Sequence, residues 1–157
     1  PIAEPVQLLD VIFGTESGTS EAVADMVSED AQKASIPEVI IHPADDVGLE
    51  ELKNMKYVTF VTSTSGEGEF PPNATEFWKR LSKATKEDTS LANMKFTVLG
   101  LGDSAYTKFC EAARLVNEKF EQLGAKRFYP YTTFDDQSDK DQEEFVNQWI
   151  QNMLKNI

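Results

Sequence analysis

The chain has one cysteine and one histidine in 157 residues, and fewer basic than acidic side chains, 15 against 27. Each scarcity excludes something. A lone thiol, Cys110, closes no intrachain disulfide, which suits a reducing, cytoplasmic setting. A lone imidazole, His42, sits beside Pro43, offers little to a catalytic triad and reads as a surface residue. The net charge of -12 argues against nucleic acid or an anionic membrane surface as a partner, because both are bound through clustered Lys and Arg. A basic-surfaced protein fits better. No apolar run approaches the ~20 residues of a membrane span, and no signal-peptide pattern is read. The expectation is a single domain over residues 1–157. The chain opens at Pro1 rather than methionine, which leaves room for excision from a longer parent protein.

What is present alternates. Short apolar runs at Leu8 to Phe13, Val39 to Ile41, Tyr57 to Val61, Phe96 to Leu99 and Phe128 to Tyr129 read as strands. Helical stripes lie between them: Val23, Met26, Val27 and Ala31; Ala74, Phe77, Trp78 and Leu81; Ala112, Val116, Phe120 and Leu123; then Phe145, Trp149, Ile150 and Met153. Gly124 reads as a left-handed cap closing the third stripe. Asp45 to Asn54 reads as a short helix and Lys86 to Asn93 as a loop. Strands alternating with helices imply right-handed crossovers onto a parallel sheet, hence an α/β three-layer sandwich with five strands.

Three polar, glycine-bearing loops each follow a strand, and in such a sheet all three fall at the edge where ligands bind. The first, Thr15-Glu16-Ser17-Gly18-Thr19-Ser20, runs into a helix and offers hydroxyls and amides to an anion. It has no lysine and no carboxylate set for a metal, so it suits a phosphate monoester rather than a nucleoside triphosphate. The competing explanation is that Thr19 or Ser20 is simply a helix N-cap. The second, Ser63-Thr64-Ser65-Gly66-Glu67-Gly68-Glu69, has glycines that let the backbone approach a flat ligand edge, and Pro71 and Pro72 start the next helix. Glu67 and Glu69 lack the histidine or third carboxylate of a metal site, so none is expected. The third, Leu101-Gly102-Asp103-Ser104-Ala105-Tyr106, brings Tyr106 as a planar surface for an aromatic ring. Phe109 and Cys110 follow it, and both also read as packed helix residues. Asp135, Asp136, Asp139, Asp141, Glu143 and Glu144 read either as a solvated face near a helix start or as a docking surface for a basic partner.

These residues resemble the flavodoxin family, specifically the FMN-binding domain of NADPH-dependent diflavin reductases. The carriers are Phe13 to Ser20, Thr64 to Asn73 and Leu99 to Tyr106 in that order, with Phe120 to Ala125 and Asp135-Asp136 beyond them. The resemblance implies a flavodoxin-like sheet in the order 2-1-3-4-5 with helices on both faces. It also implies FMN as cofactor: Thr15, Glu16, Ser17, Gly18, Thr19 and Ser20 around the phosphate, and Ser63, Thr64, Ser65 and Gly66 along the ring. Leu101, Gly102, Asp103, Tyr106, Phe109 and Cys110 would cover the other side, with Asp136 near the flavin. Tyr106 matches the stacking tyrosine, and Gly66 the glycine whose carbonyl turns toward flavin N5 on one-electron reduction. Ser65 departs from the aromatic residue found there in cytochrome P450 reductases. It resembles the sulfite reductase, methionine synthase reductase and iron-sulfur-assembly branches, or pyruvate:NADP oxidoreductase.

The function so implied is single-electron transfer from an NADPH-reduced FAD module, on a partner domain or protein, to a haem, cobalamin or iron-sulfur acceptor. No catalytic acid, base or nucleophile is required. The alternatives are a free-standing flavodoxin carrier and a cofactor-free signalling or interaction module on the same fold.

Overall fold

In the computed structural model, which describes residues 4–157, β1 (Leu8–Gly14) and β3 (Tyr57–Ser63) lie at the centre of a parallel sheet and are buried along nearly all their length. Burial on both faces is why these segments read as apolar runs rather than as strict alternation. Around them come α1 (Thr19–Lys33), β2 (Glu38–Pro43), α2 (Leu49–Lys53), α3 (Thr75–Lys83) and β4 (Lys95–Gly102). The chain continues through α4 (Glu111–Gln122), β5 (Lys126–Arg127), β6 (Thr132–Asp135) and α5 (Gln142–Lys155). The strand order is β2-β1-β3-β4-β5, with β6 also pairing β4, so among the described residues the sheet has six strands rather than five.

The sixth strand comes from a break. Phe128 and Tyr129, expected to form the fifth strand, lie between two short ladders, Lys95↔Lys126 to Phe96↔Arg127 and Leu99↔Thr132 to Gly102↔Asp135. Pro130 has no N–H to give a ladder, so pairing stops and resumes beyond it. The gap is bridged by the Phe128 N–H donating to the Phe96 carbonyl at 2.9 Å and the Thr97 hydroxyl donating to the Tyr129 carbonyl at 3.0 Å.

Alternation along the central strands divides the core in two. Val58, Phe60, Phe96 and Val98 face α3 and α4, where Phe60 stacks on Phe77 and meets Phe120 edge-on. Leu9, Val11, Phe13, Val61, Leu99 and Leu101 face α1 and α5. Each fully buried side chain of this size contributes about 2 kcal/mol. The helix ends follow their sequence signals. Gly124, at φ 103°, closes α4 with its own N–H on the Glu121 carbonyl and that of Ala125 on Phe120. Asp141 caps α5 by accepting the Glu144 N–H at 3.0 Å. The segment from Ala44 to Lys53 forms a 3-10 turn and the short α2.

His42 corrects the sequence reading. It is half-buried and lies 2.8 Å from a carboxylate oxygen of the buried Asp10. Asp10 pairs in register with Ile40, so His42 is its diagonal neighbour on the same face of the sheet.

Because all strands are parallel, the loops after Gly14, Ser63 and Gly102 leave the same edge. β1 and β3 are neighbours although β2 intervenes in sequence, which makes their boundary the point where strand order reverses. Ligands of open α/β sheets bind there.

Candidate functional site

The loop after β1 is shaped by one residue. Gly18 occupies the N-cap position of α1 at φ 94°, a conformation that L side chains rarely adopt. Its N–H donates to the Thr15 hydroxyl at 2.8 Å, and the Thr15 N–H donates to Asn73 at 2.7 Å, which anchors the loop to the segment after β3. No side chain caps α1, so neither Thr19 nor Ser20 is its N-cap. The first-turn amides keep their donors for an anion. Ser20 is fully buried in that turn, and its hydroxyl has no hydrogen-bond partner among the described residues. A buried polar atom so placed is a cost unless a ligand answers it.

The loop after β3 folds back on itself. Ser65 and Glu69 exchange backbone hydrogen bonds at 2.8 Å, and Gly68 adds a third N–H to the Ser65 carbonyl. Gly66 at φ 46° and Gly68 at φ 103° make this turn possible. A methyl on Gly68 would meet the Lys108 stem at 2.7 Å, so glycine there also lets the second and third loops touch. The Gly66 carbonyl accepts no hydrogen bond among the described residues and stays available to a ligand edge.

Asp103, in the loop after β4, and Asp135, at the end of β6, are receptors for backbone donors. Asp103 accepts from Ala105 and from the Gln137 side chain, while Asp135 accepts from Ser104 and Gln137. Hydrogen bonds from Ser104 and then Gln137 hold the Asp135 carboxyl below its ordinary range. Asp136 shifts the other way: desolvation, then the charges of Asp103 and Asp135, push its carboxyl up. Its N–H donates to the Gly102 carbonyl at 2.9 Å. Tyr106 is 51% exposed, one of two large apolar side chains left open to solvent among the described residues. Cys110, buried at the start of α4, is pushed up to about 12 by burial and by Asp135 and Asp136.

Together the loops enclose a cleft of about 550 Å³, within the usual range for a cofactor. Glu16, Ser17, Thr19, Ser63, Thr64, Ser65 and Gly66 line one part of it; Leu101, Gly102, Asp103, Tyr106, Phe109, Cys110 and Asp136 line the rest. Thr15, Gly18 and Ser20 are not among the lining residues; the Thr15 to Gly18 hydrogen bond shapes the first loop instead. Two lining residues escaped the sequence reading, Lys108 and Gln142. Lys108 could have been found as the one basic residue in the third loop; Gln142 opens α5, far from any glycine-bearing loop. No group of three or more potential metal ligands exists among the described residues. No described helix is long and apolar enough to cross a membrane.

The family profile described as flavodoxin matches residues 11–149. Among curated proteins, the chain is 36% identical over 141 residues to the mitochondrial pyruvate dehydrogenase [NADP(+)] of Euglena gracilis, covering 89% of this chain and 8% of that protein. It is 30% identical to the NADPH-dependent diflavin oxidoreductase 1 of Bos taurus over 98% of this chain and 26% of that protein. The chain thus spans about a quarter or less of these relatives. A cysteine-to-serine variant of the flavodoxin from Pseudomonas aeruginosa superposes with a TM-score of 0.79 at 25% identity, covering 95% of this chain and 97% of that one. Profile, relatives and topology agree with the uncapped anion loop and the cleft above the strand ends: the chain belongs to the flavodoxin family, whose cofactor is FMN.

Proposed function

We propose that this chain holds FMN in the cleft and works as the FMN module of an electron-transfer system, fed by an NADPH-reduced FAD module and delivering to a haem, cobalamin or iron-sulfur acceptor. One observation carries the reading: three loops from β1, β3 and β4 meet in one cleft with an uncapped helix end on one side and an exposed tyrosine on another. FMN supplies the redox chemistry when bound, taking and giving electrons one at a time. The chain supplies the setting. Amides of the first turn of α1 and the hydroxyls of Ser17 and Thr19 suit a phosphate, which the buried Ser20 hydroxyl supports from behind. Tyr106 would cover a face of the ring, and the free Gly66 carbonyl would meet its edge. Glu16, Asp103 and Asp136 outnumber Lys108 around the cleft, so added negative charge inside is disfavoured and the reduced state is a stronger donor.

The diflavin relatives support a reductase module as the donor, and the acidic surface supports a basic acceptor. A free-standing carrier is the second reading, favoured by the match to nearly the full length of a flavodoxin chain. The cytoplasmic setting belongs to this proposal and rests on the single unpaired thiol. Titrating the purified chain with FMN tests the core of it: flavin absorbance should become protein-bound, with fluorescence changed at one equivalent. A colourless protein after gel filtration would refute both redox readings. Electron uptake from a covalently separate FAD and NADPH-binding module, compared with uptake from a flavin reductase that serves free carriers, separates them.

A further inference from the structure

Glu16 lies in the loop after β1 and Ser65 in the loop after β3, and the Ser65 hydroxyl donates to a Glu16 carboxylate oxygen at 2.7 Å. That length is typical of a charge-assisted O–H···O bond. The pair has a second setting. Both residues also line a neighbouring groove of about 530 Å³ that contains Phe70 and Trp78, whose rings stack at 4.9 Å and 11°. Among the described residues Glu16 and Ser65 alone belong to both linings, so their hydrogen bond lies between cleft and groove.

The bond also settles an electrostatic conflict. Glu16 is two positions ahead of Gly18, the N-cap of an uncapped helix. A carboxylate free to move at that range is drawn to the positive end of the helix, where it competes with a ligand anion. Thr15 to Ser20 includes no lysine to offset it. In the structure the Glu16 carboxylate is instead held at the loop after β3.

We propose that Ser65 is a specificity-positioning residue: by holding the Glu16 carboxylate at the ring loop, it keeps the amino end of α1 open to a phosphate monoester and so favours phosphorylated over unphosphorylated flavin. This deepens the FMN reading and rests on it. It also gives the small polar residue at position 65 a task other than covering the ring.

The test is a fluorescence titration of the full chain with FMN and with riboflavin, for wild type, Ser65→Ala, Ser65→Thr, Glu16→Gln and the double variant Ser65→Ala with Glu16→Gln. Ser65→Ala should weaken FMN about fivefold, the scale of one charge at a helix end, and riboflavin less than about twofold. Ser65→Thr keeps the hydroxyl and should match wild type. Adding Glu16→Gln to Ser65→Ala should return FMN binding to within about twofold of wild type, because the neutral amide no longer competes for the helix end. Equal losses for both flavins, no loss, or no recovery in the double variant would each overturn the inference while FMN binding by the wild type stands. Wild type that binds neither flavin would instead overturn the FMN reading and this inference with it.

Discussion

The hydroxyl of Thr64, one residue beyond β3, accepts the Ala112 N–H at 3.1 Å in the first turn of α4. Cys110, the N-cap of that helix, offers no side-chain cap, so a residue from a distant loop performs the task. Thr64→Val should leave that N–H unpaired and cost about 1 kcal/mol, lowering the melting temperature by about 3 °C. Thr64→Ser should cost far less. Calorimetry of the three proteins checks this, and equal losses for Val and Ser would contradict the capping role.

On the proposed reading Tyr106 and Thr19 would act at opposite ends of the ligand, so their effects should be separable. Tyr106→Ala removes a ring-stacking surface and should weaken FMN and riboflavin alike, by about tenfold. Thr19→Val removes one phosphate donor and should weaken FMN alone, by about fivefold. Paired titrations with the two flavins read the difference directly.

Cys110 should be inert in the folded protein. Burial, then the charges of Asp135 and Asp136, raise its thiol from an ordinary 9.0 to about 12, so it stays protonated at neutral pH and far above. Iodoacetamide at pH 8 should label the unfolded chain and leave the native one unmodified by mass spectrometry. The sign of the stability effect follows. The unfolded chain loses its thiol proton near 9.0 and the folded chain only near 12, so this contribution is complete below pH 9 and is lost as pH rises through that window. Cys110→Ala should flatten the fall in urea-derived stability between those values.

Asp141→Ala should remove the cap of α5 at a cost of about 1 kcal/mol, visible as a lower urea midpoint with an unchanged slope. Its side chain is absent from the cleft lining, so FMN affinity should hold. A loss of affinity would show that α5, through Gln142, positions the site.

The sequence was most legible where burial is symmetric and local signals agree. Tyr57 to Val61 and Phe96 to Leu99 are apolar because helices cover both sheet faces, and each lies within an observed strand. Gly124 carries its cap in its own residue type, whereas Asp141 read only as one of an acidic cluster near a helix start and proves to be the cap of α5. Legibility failed where partners come from far along the chain. His42 read as a surface residue because nothing near it in sequence reveals Asp10, which reaches it only through the register of β1 and β2. Phe128 and Tyr129 have strand-like side chains, yet the ladder to β4 is interrupted around Pro130. Their apolarity reflects packing beside the core, with single hydrogen bonds to β4 in place of a continuous ladder. At the site, the loops were visible from glycines and hydroxyls, but the Ser65 to Glu16 bond and the Lys108 stem over Gly68 exist only once three strands have aligned them.

β1 and β3 each have a paired strand on both sides, and the loops that follow them line the cleft together with the end of β4. Backbone amides in these strands should therefore be the last to exchange with heavy water, protected by something close to the full unfolding free energy, while the loops above them open at far smaller cost. A cofactor held by these loops should therefore enter and leave through their local opening, without unfolding of the sheet. Mutations that retune its residence time need not touch the global fold, and the two properties are free to vary separately.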